Sequence, residues 1–161
     1  LPYPPIKALY ITAPSPFPAL EAFVLASVSA YNLDLYRFGG GMKVALTEYL
    51  RCGGGRGVKG VMVGTRRGDP NGNVAVLAPT DPSWPDFLRI HPILDWSYKD
   101  IWDCLRELEV DWCSLYDEGY TSLGSITNTR PNPLLKNPDS ATGWDPAWKL
   151  QDERQERAGR I

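Results

Sequence analysis

IKALYITAPSPFPALEAFVLASVSAYNLDLYRFGGGMKVALTEYLRCGGGRGVKGVMVG, residues 6–64, alternates β-rich runs with helix-period runs, and that alternation decides the fold. Residues 6–12 mix β-formers with small residues and stop at the turn APSPFP. Pro18 stands where a helix can begin, because the first turn has no partner for the N–H that proline lacks. Leu20, Phe23, Val24, Val28 and Tyr31 recur at three- and four-residue intervals, which gives one buried helix face ending at Asn32. Residues 33–38 alternate as a second strand, residues 42–51 form a short helix closed by CGGG, and residues 60–64 make a third strand. Strand, helix, strand, helix, strand predicts an α/β fold with a parallel sheet, right-handed crossovers and flanking helices.

The next stretch, GTRRGDPNGNVAVLAPTDPSWPDFLR over residues 64–89, has no helical period. It is a polar loop leaving the C-terminal end of a buried strand, the place where open α/β sheets keep their ligand chemistry. Its prolines fix φ repeatedly, so the loop is stiff rather than slack. Beyond it, IHPIL (residues 90–94) reads as a short extended segment. Asp95 or Ser97 can cap a helix running to about Leu108, with Ile101, Trp102, Leu105 and Leu108 facing inward. One further turn fits residues 111–117, and from Gly119 onward helix signals vanish until ERQERAGR.

Composition sets outer limits. The chain has 161 residues, 43% hydrophobic and 22% charged, which suits a globular domain able to bury a core. A net charge of −2 argues against a general nucleic-acid binder, while leaving room for a local basic pocket. No apolar run approaches the roughly 18 residues needed to cross a bilayer. The first ten residues lack the pattern of a signal peptide. Cys52, Cys104 and Cys113 have no metal-type spacing and read as reduced thiols in a cytoplasmic protein, a mitochondrial form being the alternative left open. No residue is assigned to a metal. The lone His91, beside Pro92, reads as a packed histidine, and Gly53–Gly54–Gly55 follows a helix and lacks the Lys-Ser/Thr of a phosphate loop, so it reads as a turn.

Four motifs in order carry a resemblance: GTRRGDP (64–70), TDPSWPDFLRIHPILDWSYKDIW (80–102), LYDEGYTSLGSITNTRPNPLL (115–135) and ERAGRI (156–161). Together they resemble the second half of eukaryotic-type FAD synthase, the FMN adenylyltransferase of the phosphoadenylyl-sulfate reductase-like, PP-loop class. The resemblance implies a partial Rossmann-like (adenine nucleotide α-hydrolase-like) parallel sheet flanked by helices, followed by a loop-rich C-terminal flavin-binding region. It implies transfer of AMP from ATP to FMN with Mg²⁺, giving FAD and pyrophosphate, and client apoflavoproteins as partners for the product.

The resemblance also assigns residues. Arg66 and Asp69 fall at the active site, against the alternative of an Asp-Pro turn with a surface arginine; Arg67 reads as surface. Asp81, Trp84 and Arg89 address the flavin: the indole as a flat wall, Asp81 as an acceptor for a ring N–H, Arg89 as a donor fork to a phosphate or to Asp86. The rival account is a core tryptophan and a loop-bracing ion pair. Tyr120, Thr121, Ser122 and Gly124, with Ile11, form the nucleotide-site set, against plain turn chemistry. Asn128, Asn132 and Pro133 read as mostly structural. Arg157 and Arg160, three apart and on one face of a helix, would clamp FMN, against a solvated basic tail.

The family's PP-loop, of the type SxNGGKD or SGGKDS, has no counterpart here. The expected organisation is therefore a single domain over 1–161 that is the C-terminal part of a larger catalytic domain, with an α/β core over 1–64 and flavin-site loops, helix and tail over 65–161. The alternative to an enzyme is a flavin-binding module without transferase activity. A sulfonucleotide reductase is disfavoured because no cysteine follows Cys113.

Overall fold

The computed structural model describes residues 3–161. They form two compact units: residues up to Thr12 with Tyr31–Ser97, and Ala13–Ala30 with Tyr98–Ile161. Within the first unit residues 65–97 return to the segment they left: Leu88 N–H donates to Lys59 O, Val63 N–H to Ile90 O and Arg67 N–H to Leu94 O.

In the first unit, β1 (Ile6–Ile11) pairs in parallel with β2 (Leu33–Phe38), Ile6 opposite Leu33 and Ile11 opposite Phe38. Helix α2 (Met42–Arg51) buries Ala45, Leu46 and Tyr49. The Tyr49 ring packs edge-on against Tyr36 at 5.3 Å and Phe38 at 6.4 Å, so the alternation of β2 supplies the aromatic face that the helix covers. The CGGG segment closes this packing. A Cβ on Gly54 would lie 2.0 Å from the Tyr36 ring, and one on Gly55 would lie 2.0 Å from Tyr49 O. The segment is a turn as expected, and Gly54 and Gly55 serve a close approach that the turn assignment did not foresee.

The expected α/β class holds, but the sheet is divided. Among the described residues β3 (Gly60–Met62) pairs in parallel with β5 (Leu88–Ile90), not with β1 or β2, and β4 (Leu77–Pro79) pairs antiparallel with β5. Two short strands thus lie in or end the stretch expected to be all loop. The extended segment expected at residues 90–94 also moves. Extension ends at Ile90, Pro92 cannot donate to a ladder, and the chain turns with Leu94 N–H bonding His91 O. His91 is 2% exposed and its Nδ1 lies 3.0 Å from Ala75 O, a packed histidine as expected.

In the second unit, α1 (Pro18–Ala30) is less buried than its periodicity implied. Leu20, Phe23, Val24 and Val28 are half-buried, and Leu25 is 57% exposed. Its alanines and serines give a helix that is weakly apolar all round instead of two-sided. Helix α3 (Tyr98–Glu107) buries Tyr98 and Trp102, while Leu108, expected inside, lies beyond the helix and is exposed. Glu109, at φ 51°, reverses the chain there. The α3 start is capped from afar, Glu153 Oε2 accepting from Tyr98 N–H at 3.0 Å.

Around α3 an aromatic core forms: Trp102 meets Tyr98, Trp112 and Tyr116 edge-on at 6.2, 5.5 and 5.4 Å. Leu135, Ala147 and Leu150 complete it. The remaining chain is built of 3-10 turns at Ser114–Glu118, Ile126–Asn128, Pro133–Leu135, Ala147–Lys149 and Glu153–Gln155. The tail ERQERAGR is one of these turns extended, not the helix expected. Ala158 N–H bonds Gln155 O and Arg160 N–H bonds Arg157 O, an i to i+3 pattern with three residues per turn.

Among the described residues no helix is long and apolar enough to cross a membrane.

Candidate ligand-binding site

In the first unit the GTRRGDP loop is tied to itself. Asp69 accepts from the Arg66 N–H at 2.8 Å with Oδ2 and from the Arg66 guanidinium at 3.0 Å with Oδ1, and its own N–H returns to Arg66 O at 3.1 Å. A Cβ on Gly72 would strike Arg66 O at 2.2 Å, so the turn closes on bare backbone. Arg66 is only 12% exposed in its side chain and Asp69 27%. Asp69 therefore orients Arg66. Arg67 is exposed as expected and pairs with Asp95, which is thereby drawn away from the helix-capping role assigned to it.

The TDPSWPDF segment makes the tip of the β4–β5 hairpin. Trp84 N–H bonds Asp81 O at 2.8 Å, and the Thr80 hydroxyl bonds Pro85 O at 2.8 Å. Asp81 and Trp84 thus begin and end a single turn, with Asp81 exposed and the indole half-buried. Arg89 lies on β5 and donates through Nη2 to Pro79 O at 2.8 Å. The Asp86–Arg89 ion pair offered as an alternative is not among the ion pairs found; Asp86 is exposed. The Arg89 Nε is buried and has no acceptor. A donor in that position costs free energy until something accepts from it. Ile11 ends β1, half-buried opposite Phe38.

In the second unit the YTSLG loop is fastened to the tail. Thr121, 3% exposed, donates to Glu156 O at 2.6 Å and accepts from Asn132 Nδ2 at 2.9 Å. Asn132 is fully buried and uses every polar atom: Nδ2 also donates to Gln155 O at 2.8 Å, Oδ1 accepts from Leu134 N–H at 3.1 Å, its N–H bonds Gly119 O and its O accepts from Leu135 N–H. Arg130 N–H to Gly159 O and Ile161 N–H to Asn128 O hold the far end. Tyr120 packs edge-on against Phe17 at 5.3 Å, and burial pushes its phenol above the ordinary range, with Glu118 adding to the shift. Ser122 is half-buried.

The structural assignment of Asn132 was legible in the sequence, since Asn before Pro is a cap pattern. Its hold on the tail was not.

Arg157 is exposed and Arg160 half-buried, and neither is among the residues found in ion pairs. Burial lowers the Arg160 pKa from its ordinary value, and the neighbouring Arg157 charge lowers it further. The main chain between them is held by the bond from Arg160 N–H to Arg157 O at 2.9 Å. The guanidinium of Arg160 lies against Gly124, whose added Cβ would meet Nη2 at 2.4 Å.

A separate open cleft of about 460 Å³ in this unit is lined by Arg106, Glu109, Val110, Asp111, Trp112 and Asp117, and contains no expected site residue. Among the described residues no group of three or more His, Cys, Asp or Glu is placed to hold a metal ion. The Mg²⁺ implied by the family resemblance is assigned no residue and no step.

Parallel strand pairs, helices, and polar groups carried on loops define an α/β protein with a loop-borne site. Residues 42–131 match the phosphoadenosine phosphosulfate reductase domain, over half of the chain. The chain belongs to that family. It is 42% identical over 156 residues to a probable FAD synthase of Schizosaccharomyces pombe, covering 96% of this chain and 57% of that protein. It matches the crystal structure of yeast FAD synthetase in complex with FAD at a TM-score of 0.88 and 29% identity, over 99% of this chain and 69% of that one. The Candida glabrata FMN adenylyltransferase in complex with FMN and the ATP analogue AMPCPP matches at 0.85 and 28%, over 94% and 68%. The resemblance to eukaryotic-type FAD synthases drawn from the four motifs is borne out, and the chain spans just over half the length of its fission-yeast relative.

Proposed function

We propose that this chain serves FAD synthesis: AMP passes from ATP to FMN, giving FAD and pyrophosphate. In chemical terms an oxygen of the FMN phosphate bonds to the α-phosphorus of ATP, and the bond from that phosphorus to the oxygen bridging to the β-phosphate breaks. Such a transfer asks a protein chiefly for cations and positioning. The observation that carries the proposal is the half-buried Arg160, its guanidinium seated against Gly124 and in no ion pair found among the described residues, with a second arginine, Arg157, three positions before it, in a chain similar to structures described as holding FMN or FAD. On this reading the pair receives the FMN phosphate.

The other assignments follow from the same reading. Asp81 accepts from a ring N–H and Trp84 supplies an apolar wall. The unsatisfied Arg89 Nε supports a ligand acceptor at that position. Arg66, set by Asp69, offers a positive charge near the reacting phosphates. Ile11, Tyr120, Thr121, Ser122 and Gly124 border the nucleotide, with Thr121 acting from a buried position. Apoflavoproteins would take up the product, Mg²⁺ would accompany the ATP phosphates, and the reaction would run in the cytoplasm.

A second reading is flavin binding without turnover. It draws on the glycine runs: Gly54 and Gly55 are filled by Tyr36 and Tyr49, so that run offers no cradle for ATP phosphates. One experiment separates the two. The intact protein is titrated with FMN while flavin fluorescence is followed, then given ATP, and FAD and pyrophosphate are quantified. Equal amounts of both products establish the transferase; binding with no FAD establishes the module. Absence of FMN binding at high micromolar protein, together with no FAD, rejects both.

A further inference from the structure

We infer that Gly124 is a positioning residue for Arg160: its bare α-carbon is the seat on which the Arg160 guanidinium lies, and a side chain there displaces the charge. The inference rests on the flavin reading above and assigns Gly124 a role that glycine's usual backbone freedom does not explain. Its φ is not among the left-handed values, so alanine is permitted by the backbone. What forbids a side chain is space.

A Cβ on Gly124 would stand 2.4 Å from Arg160 Nη2, 2.5 Å from Cζ and 2.6 Å from Asn128 Oδ1. Asn128 Oδ1 cannot yield cheaply, because it accepts from Ser125 N–H and from the Thr129 hydroxyl, both at 2.9 Å. The guanidinium is the far end of a flexible side chain. It is the part that moves. The Arg160 main chain stays where it is, held by its bond to Arg157 O and by the flanking Gly159 and Ile161 bonds. Gly159 offers a contrast within the same few residues: its Cβ would strike Arg130 O at 2.2 Å, so alanine there breaks backbone pairing instead of moving a charge.

The test is a cycle in the intact protein: wild type, Gly124→Ala, Arg160→Ala and the double variant, each titrated with FMN and, separately, with ATP, and each melted. Loss of a well-aimed charge-assisted contact costs about ten-fold in affinity. Gly124→Ala should therefore weaken FMN about ten-fold, and more than it weakens ATP. On the Arg160→Ala background it should add nothing to the loss of FMN affinity, because the guanidinium it would displace is gone. The Asn128 clash remains on both backgrounds, so a larger drop in melting temperature on the Arg160 background supports the inference, and an equal drop on both overturns it. Wild-type FMN affinity in Gly124→Ala, or a loss that adds to that of Arg160→Ala, also overturns it. If the wild type binds no FMN, the flavin reading fails. The Arg160 Nε–Hε resonance, identified by its disappearance in Arg160→Lys, then decides alone: a shift in Gly124→Ala upholds the seat, and an unmoved resonance rejects it.

Discussion

The loop from Arg66 to Gly72 and the tail from Gln155 to Ile161 each carry two arginines, and they treat them in opposite ways. In the loop Arg66 is bonded to Asp69 and Arg67 to Asp95, so each cation has its carboxylate. In the tail neither Arg157 nor Arg160 is among the residues found in ion pairs, and burial, with the Arg157 charge second, lowers the Arg160 pKa from its ordinary value. Charges that are neutralised internally mostly hold structure. Charges kept close without compensation store repulsion that a bound anion releases. The contrast locates the more ligand-hungry of the two regions in the tail, where composition alone suggests a solvated end.

The largest effect should come from removing what holds the tail together. Asn132→Ala would leave Gln155 O, the Thr121 hydroxyl and Leu134 N–H short of partners in a fully buried position. At about 1–3 kcal/mol for each unsatisfied buried group, partly relieved by water, a loss of about 3 kcal/mol is expected in denaturant unfolding. An unchanged unfolding midpoint would mean the repelling arginines are held by something other than this network.

Next in size is Arg160→Ala. Removing a cation aimed at a phosphate typically costs about 2–4 kcal/mol of transition-state stabilisation, read as kcat/KM for FMN. Because the variant also removes repulsion, its melting temperature should not fall. If activity holds while the melt drops, the tail is a structural element and the comparison is inverted.

Asp69→Ala should be smaller in stability and mixed in character. The family resemblance implies an active-site carboxylate. The geometry gives it a bracing duty, so about 1 kcal/mol of stability should go, discounted because the pair is partly exposed. Activity should fall with it as Arg66 loses its orientation. Asp69→Asn keeps acceptors for the Arg66 N–H and should recover most of the stability. Equal melts for Asp69→Ala and wild type would return Asp69 to a purely chemical role.

How much of this could be read from residues alone follows physical lines. Strand β2 and helix α2 were legible to the residue, because alternation and three-four spacing run long enough in each to fix a period. Strands β4 and β5 were not, since three residues carry no period, and β3 finds its partner 28 positions later. The burial of α1 was overstated because apolar spacing marks a helix face without saying how fully other chain covers it: Leu20, Phe23, Val24 and Val28 are only half-buried. At the site, the spacing of Arg157 and Arg160 and the Asp81-to-Trp84 turn were visible. The Asn132 hub was not, because its partners are mostly main-chain carbonyls, which carry no sequence signature. The seat at Gly124 escaped for the same reason: a glycine does not say which atom fills its missing side chain.

The smallest expected effect concerns a second neutralised charge, Asp145, and sharpens the contrast from the acid side. The Lys149 ammonium donates to its Oδ1 at 2.8 Å and the Asn137 amide at 3.0 Å, and these bonds, Lys149 first, hold its pKa below the ordinary carboxylate value of 3.8. A carboxyl with a depressed folded-state pKa gives stability that is present in full above the unfolded value. That stability is lost as pH falls through the folded one. The window therefore opens near 3.8 and extends below it, so between pH 7 and 5 this group contributes no slope. The arginines of the tail stay charged throughout that range, so acid should release the 137–145 loop without relieving their repulsion. Asp145→Asn removes the titration while keeping an acceptor for Asn137, and its melting temperature should decline less steeply than wild type below pH 4. Parallel acid limbs in the two proteins would show that Asp145 is bonded in the unfolded chain as well, and that neutralisation there adds nothing to the fold.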